Sequence, residues 1–406
     1  MDGARLDPAT RREYLKGGAT LLGTGLLAGC TGETDAESTA TESEATETTT
    51  DGTTTTADES HSVTMAPMGE VTFDAPPESA FVAFPQYADM AVALGHGDAV
   101  NTVYVPEMSG TTMNHYYHHL DGVSFEWEGL VDPLADGLNK EELYDLDSDV
   151  HFLDPAYAVS DSNWAESDVE DVAEDVGPWF GNFYSGTRAE PPGYRDVYEY
   201  YDLWDLFEKV AAVFREGERY RALESVHADL LATIEERLPP EDDRPTAVRV
   251  TVSEDQFYTY HLNEPGYWLA DTRPLGATDA FADEEWSNLW GTVGHEAMAE
   301  ADPDVILHLW GMTPRYATSE ARRTLRDHPV GSQLSAVRND RVYAHGMRYQ
   351  GPIMNLFQLE MTAKQLYPEA FGEWPGYTDG EPYPEIPADE QLFDRDRVAA
   401  AVNGEV

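Results

Sequence analysis

One segment of this chain occurs twice, and that duplication limits the fold more than any other feature. Glu141-Glu142-Leu143 followed by Asp147-Ser148-Asp149-Val150 matches Glu296-Ala297-Met298 followed by Asp302-Pro303-Asp304-Val305, with the same internal spacing in both copies. In each copy the Glu opens a short amphipathic helix and the Asp-Val step opens an apolar run. Those runs, Val150-His151-Phe152-Leu153 and Val305-Ile306-Leu307-His308-Leu309, are short and bounded, as buried strands are. A second match pairs Leu94-Gly95-His96-Gly97-Asp98-Ala99 with Leu275-Gly276-Ala277-Thr278-Asp279-Ala280. Helix followed by strand, repeated, predicts two α/β lobes with mainly parallel sheets. Residues 81–84, 100–105, 247–252 and 341–344 are further candidate strands.

The lobes are expected at residues 61–196 and 241–371, with a helical region at 197–240 between them. Leu203, Leu206, Phe207, Val210, Val213 and Phe214 fall on one helical face, and Leu223, Val226, Leu230, Leu231, Ile234 and Leu238 repeat the pattern after Gly217. Gly217 is expected to mark a break or kink, and Pro239-Pro240 stops the second stretch. Two lobes bridged by a long helix make a clam with a restricted hinge. Residues 372–406 form a tail, extended from Pro375 to Pro387, with a last short helix from Glu390 to Val402.

The first sixty residues carry an address. Arg11-Arg12 before Glu13-Tyr14-Leu15-Lys16 has the pattern of a twin-arginine export signal. The weakly apolar stretch from Gly17 to Gly29 is too short to span a bilayer, and residues 1–30 therefore read as a signal peptide. Leu27-Ala28-Gly29-Cys30 resembles a lipobox, which makes Cys30, the single cysteine, the expected lipidation site. Residues 31–60 are Thr-rich and acidic without an aliphatic or aromatic anchor, so they read as a disordered tether. The expected location is the outer face of the cell membrane, held by the lipid alone.

Seventy-seven acids against twenty-five bases, four of them lysines, leave a formal charge of −52. That charge repels nucleic acid and anionic surfaces. It suits a halophilic setting, where the screening length falls to about 3 Å at 1 M salt. Amid such acidity a retained arginine is expected to face something anionic.

The chain as a whole resembles the substrate-binding lipoproteins of ABC importers for iron-siderophore, haem and vitamin B12, haloarchaeal in type, over residues 70–371. The resemblance rests on Ala88-Asp89-Met90-Ala91 leading to Leu94-Gly95, and on Leu146-Asp147-Ser148-Asp149-Val150, which departs from the family's Lys-Pro-Asp. It continues in Ala301-Asp302-Pro303-Asp304-Val305-Ile306-Leu307, in Ala336-Val337-Arg338-Asn339-Asp340-Arg341-Val342-Tyr343, and in Leu359-Glu360, Lys364 and Leu366-Tyr367-Pro368-Glu369. It implies two Rossmann-like lobes joined by a long interlobe helix, the class III periplasmic-binding-protein architecture. It also implies a monomer that delivers its solute to a permease with ATPase subunits. Importers of this class are docked by one exposed Glu on each lobe, which by position are Glu141 and Glu296. The competing role for both is to favour a helix N-terminus, and Glu142 is an equally placed substitute for Glu141.

Ligands of open α/β sheets lie beyond the carboxyl ends of strands. That rule nominates Gln86, Tyr87, Tyr157, Trp164, Tyr258, Tyr260, Trp310, Arg315, Arg348 and Tyr349. Arg315 and Arg348 suit a carboxylate or the acidic face of a chelate. From Asp98 to Glu141 the first lobe spans 43 positions against 17 from Asp279 to Glu296, and the excess holds Met113-Asn114-His115-Tyr116-Tyr117-His118-His119. This segment reads either as metal or haem-iron ligands or as a polar aromatic loop over the cleft, so His115, Tyr116 and His118 join the candidates. The expected ligand is a ferric siderophore-type chelate, with cobalamin and haem as alternatives and no resident cofactor.

A secreted metal-dependent hydrolase is the rival from another class. The sequence contains no Gly-x-Ser-x-Gly elbow, and Gly294-His295-Glu296-Ala297-Met298-Ala299 lacks the second His of a zincin helix. A non-enzymatic capture module is therefore expected.

Overall fold

The repeated segment folds the same way twice. Helices Lys140–Leu146 and His295–Ala301 end at Asp147 (φ 46°) and Asp302 (φ 35°), each left-handed, and strands Val150–Phe152 and Val305–His308 follow. Leu143 and Met298 are the buried residues of the two helices. The aspartates at the strand entrances do one job in both copies. Asp149 accepts the amides of Glu78 and Ser79 at 2.9 Å, and Asp304 accepts the amide of Thr246 at 3.0 Å. Each returns its own N–H to the neighbouring strand, to the carbonyls of Ser79 and Thr246. The carboxylates thus staple parallel strands at their entry. Asp149→Ala and Asp304→Ala should each cost about 1–2 kcal/mol, part of which Asn restores, as read by denaturant unfolding at fixed KCl.

The computed structural model describes residues 60–405 except 162, 254, 255, 287 and 288. The expected signal peptide, Cys30 and nearly all of the tether lie outside the described residues. The chain opens with an antiparallel hairpin, β1 (His61–Met65) and β2 (Gly69–Phe73). Then come β3 (Ala80–Val82), α1 (Pro85–Ala93), α2 (Pro106–Tyr117), α3 (Lys140–Leu146), β4 (Val150–Phe152), α4 (Pro155–Ser160) and α5 (Glu166–Asp175). Two helices, α6 (Leu203–Phe214) and α7 (Gly217–Arg237), lead to β5 (Thr246–Val252), β6 (Phe257–Tyr260), β7 (Thr278–Asp279), β8 (Trp290–Val293), α8 (His295–Ala301) and β9 (Val305–His308). The remainder is α9 (Thr318–Asp327), α10 (Ser335–Arg338), β10 (Val342–Ala344), α11 (Pro352–Leu366), α12 (Pro368–Phe371) and α13 (Arg395–Val402). Among the described residues no helix is long and apolar enough to cross a membrane.

β3 and β4 pair in parallel, and isolated parallel bridges at Val100, Thr102 and Trp179 extend that sheet. The run at 100–105 therefore contributes bridges and no full strand. Thr102 explains why, because its hydroxyl donates to the Val82 carbonyl and accepts the Val82 amide where ladder bonds would run. The second sheet has the order β10-β9-β5-β6-β8, with β7 beside the start of β5. β10, β9, β5 and β7 are parallel, whereas β5–β6 and β6–β8 are antiparallel. The expectation of mainly parallel sheets is thus corrected to a mixed one in the C-terminal half. A four-residue connection from β5 to β6, closed by Ser253 N–H to the Gln256 carbonyl at 3.0 Å, is too short for a parallel crossover.

The helical region at 197–240, expected to break or kink at Gly217, is two helices. Arg215 at φ 61° ends α6, and Gly217 is the first residue of α7, so the break precedes the glycine. Every residue of α11 is buried. Its exposed-looking N-terminal amides are met from a distance, since Asp89 on α1 accepts Ile353 N–H at 3.0 Å and Met354 N–H at 3.2 Å along with the Tyr117 hydroxyl. Burial pushes Asp89 up to about 7 despite those donors.

The tail wraps both halves. Asp379 caps α9 through the amides of Thr318 and Ser319, and Tyr383 donates its amide to the His115 carbonyl of α2. Glu360, at the centre of α11, accepts from the Leu392 amide, the Tyr383 hydroxyl and Arg395. The last helix starts at Arg395, five residues later than expected, because Asp394 caps it by accepting the Arg397 amide at 3.1 Å.

Candidate functional site

The carboxyl ends of β3, β4, β9 and β10 deliver aromatic side chains to one place. Phe84 follows β3, Tyr157 sits on α4 after β4, Trp310 follows β9, and Arg348-Tyr349 follow β10. Tyr349 is central: its ring lies 5.0 Å from Phe84, 5.6 Å from Trp268, 5.7 Å from Trp310 and 6.2 Å from Tyr104. Phe183 closes the cluster at 4.8 Å from both Phe84 and Tyr157 and 5.7 Å from Trp268. The rings come from both halves of the chain and meet mostly edge-on or tilted, with Phe84 and Phe183 stacked, the arrangements that ring quadrupoles prefer.

Arg348 is embedded among them, 1% exposed. Its guanidinium lies 4.2 Å from the Trp268 ring centre and 4.7 Å from that of Tyr349, and donates to the Tyr260 hydroxyl at 2.9 Å and the Tyr349 hydroxyl at 2.7 Å. A desolvated cation on two rings is held by more than charge, at about 2 kcal/mol for a good contact. Trp310 adopts φ 68°, a costly conformation for a bulky residue, which aims its ring at Tyr349. The next residue must be glycine, since a Cβ on Gly311 would meet the His308 carbonyl at 2.7 Å.

Below the rings lie buried charges. Arg249 in β5 is 0% exposed and pairs with Asp271 at 3.2 Å. Burial is the largest influence on both, lowering the arginine and raising the aspartate. On the other side Asp154 accepts the amides of Ala156 and Phe183 and the Tyr198 hydroxyl, and burial pushes it up to about 6. It fixes the loop that carries Phe183.

The structure brings Tyr260, Trp310, Arg348, Tyr349 and Tyr157 of the nominated residues together. Gln86 bridges the halves by donating to the Tyr267 hydroxyl at 3.2 Å. Tyr87 packs on Phe152 and accepts the Asn182 amide. Tyr258 accepts from Gln256 at the other end of β6, and Trp164 packs on Trp179 with its N–H on the Leu138 carbonyl. Arg315 is exposed after Trp310.

The segment read as metal or haem-iron ligands or as a loop over the cleft is the end of α2 and the turn that follows it. Tyr116 is buried against Phe357 and Tyr383, His115 is half-buried with burial lowering its pKa, and His118 is exposed. His119 binds the Tyr383 carbonyl, so this turn holds the tail. Among the described residues no three His, Cys, Asp or Glu are grouped to hold a metal. Glu141 and Glu296 are exposed at the second positions of α3 and α8. Sequence reasoning missed Phe84, Tyr104, Phe183, Trp268 and Arg249. Only Arg249 carried a signal, a charge inside the apolar run Ala247-Val248-Arg249-Val250.

Residues 82–349 match the family described as periplasmic binding protein. The fold is similar to a periplasmic solute binding protein from Mycobacterium smegmatis, at 16% identity and TM-score 0.53, covering 76% of this chain and 98% of that one. It is similar to the iron uptake ABC transporter substrate-binding protein PiuA from Streptococcus pneumoniae, at 13% identity and TM-score 0.52, covering 75% and 97%. A third relative in fold is described as an ABC-type Fe3+-hydroxamate transport system from Saccharomonospora viridis, at 17% identity and TM-score 0.50, covering 75% and 98%. No curated protein matches the chain. At such identities the solved structures speak for the fold, while the family match spans about two thirds of the sequence. The chain belongs to the periplasmic binding protein family, and is a solute-binding protein rather than an enzyme.

Proposed function

We propose that this protein captures an iron(III) chelate of siderophore type outside the cell and hands it to an ABC permease. The observation that carries the reading is the Arg348 guanidinium set among Trp268, Trp310 and Tyr349 where strand ends of both halves converge. Rings supply rigid area for the organic shell of a chelate, and the arginine supplies a charge for its oxygens. Two relatives in fold are named for iron uptake and Fe3+-hydroxamate transport, which favours the same cargo. In this reading the halves are two lobes of a class III clam, α6 and α7 restrict the hinge, and Glu141 and Glu296 dock the permease. The monomer is exported by the twin-arginine route, lipidated at Cys30 and held off the membrane by residues 31–60, and its acidic surface suits high salt.

Tryptophan fluorescence tests this on the full-length protein in molar KCl, titrated with ferric hydroxamate, ferric catecholate, cobalamin and haemin. Trp268 and Trp310 report the cluster directly. Saturable one-to-one quenching by a ferric chelate is expected, weakened at least about tenfold by Arg348→Ala. Saturation by haemin or cobalamin alone would replace the cargo, and silence towards all four would sink the chelate reading.

A further inference from the structure

Charge is spread unevenly along this chain. Residues 315–341 hold six arginines against three acids, in a sequence with 77 acids and 25 bases. That basic stretch runs through α9 to the start of β10, the edge strand of the second sheet. Its side chains border a cavity of about 350 Å³ on the flank of the sheet, lined by Ser319, Arg322, Arg326, Asp340, Tyr343 and Gly376. Where β10 pairs with β9 the Arg341 carbonyl accepts from Ile306, so the Val342 carbonyl faces outward, and Arg322 Nε donates to it at 2.7 Å. That bond fixes the guanidinium at the sheet edge. Arg322 is half-buried, burial lowers its pKa, and its Nη1 and Nη2 make no hydrogen bond or ion pair among the described residues. The hydroxyls of Ser319 and Tyr343 are equally unengaged among the described residues. The nearby acids already have partners: Asp340 accepts from Arg326 at 2.7 Å, and Asp379 accepts the amides of Thr318 and Ser319. Gly376 of the tail forms part of the wall, and a Cβ there would meet nothing within 4 Å.

We propose that this cavity is a second ligand site, which binds a small phosphate ester through its phosphate group. The free Nη pair of Arg322 receives two phosphate oxygens side by side, and the Ser319 and Tyr343 hydroxyls serve the others. A planar carboxylate has only two oxygens and leaves those hydroxyls idle. The volume lies at the lower end of the range for small-molecule sites, about 300–1,000 Å³, and leaves room for a small organic group beside the phosphate. The site shares no residue with the aromatic cluster, so its ligand is separate from the captured solute. Its tail wall at Gly376 lies beyond the residues 82–349 that match the family, which makes the site a feature of this chain.

Equilibrium dialysis of the full-length protein in molar KCl, against labelled glycerol phosphate with inorganic phosphate as competitor, tests the site. Saturable one-to-one binding of glycerol phosphate is expected, displaced by inorganic phosphate. Arg322→Gln is expected to weaken it at least about tenfold, as the loss of a charge-assisted pair of bonds. Tyr343→Phe, which removes one hydroxyl and no packing, is expected to weaken it about three- to tenfold and keeps the test open should the arginine variant fail to fold. Unfolding curves verify both variants. Arg322→Gln is expected to leave the ferric chelate titration unchanged, so this site stands or falls apart from the choice of cargo. No saturable binding of glycerol phosphate overturns the proposal, and so does binding that survives both substitutions. Loss of phosphate binding in Arg348→Ala would put the anion in the aromatic cleft and overturn it as well.

Discussion

Arg395→Met is expected to lower the unfolding free energy by about 3–5 kcal/mol, the cost of stranding a buried charge. Glu360 is 0% exposed and Arg395 5%, with their charged atoms 2.9 Å apart. Removing the arginine leaves the carboxylate with only the Leu392 amide and the Tyr383 hydroxyl. The cheapest relief is to release the tail, because Leu392, Tyr383 and Arg395 all belong to it. Denaturant unfolding at constant KCl gives the magnitude, and limited proteolysis between Pro375 and Arg395 gives the route. Glu360→Gln, which removes the charge and keeps acceptor and shape, should recover at least half of the loss when added to Arg395→Met. If the single substitution costs under about 1 kcal/mol, the tail is not held by this pair.

A second large effect is acid sensitivity, and its sign is set by a contest between buried groups. Burial holds His151, His227 and His308 down to about 4, and His345 well below its ordinary value. The unfolded chain protonates these rings near 6.5, so their stability is present above that pH and is lost as the pH falls towards 4. At about pH 4.5 the three held near 4 together withdraw about 8 kcal/mol, at about 1.4 kcal/mol per pH unit each, and His345 acts in the same direction. Asp89, raised to about 7, and Asp154, raised to about 6, act in the opposite direction. Their folded forms keep protons that the unfolded chain has given up, so their contribution grows as the pH falls from 7 towards 4, by about 5 kcal/mol together at pH 4.5. The histidines win, and a net loss of about 3 kcal/mol is expected between pH 7 and 4.5 in molar KCl, where surface repulsion is screened. His308→Gln should flatten that decline and Asp89→Asn should steepen it. A protein that gains stability over this range would show the carboxylates to dominate.

The repeat made the α/β pattern legible because it is local. A Glu at a helix start, a left-handed Asp at its end and an Asp that staples the next strand lie within nine residues, and the chemistry of each is visible in the letters. The apolar faces of α6 and α7 were legible for the same reason. The antiparallel half of the second sheet was not, because Phe257-Tyr258-Thr259-Tyr260 satisfies equally a strand and a set of ligand aromatics. The rule that ligands lie beyond strand ends located Trp310, Arg348 and Tyr349. It missed Trp268, which follows a bend after β6, and Phe183, which is anchored by Asp154 from another segment.

The sequence by itself determined the strand entrances, the helical faces and the excess of acid, all properties of residues within a turn or two of each other. Only the tertiary structure decided which aromatics share a cleft and what the tail does. Phe84, Phe183, Trp268 and Tyr349 come within 6 Å of one another in a chain of contacts only after both halves pack. Likewise His115 and His119, within the segment open to a metal, haem-iron or loop reading, turn out to hold the backbone of Tyr383, more than 260 residues away. Local letters set local hydrogen bonds; burial, which converts a side chain into a core ring or a dry charge, depends on what arrives from elsewhere in the chain.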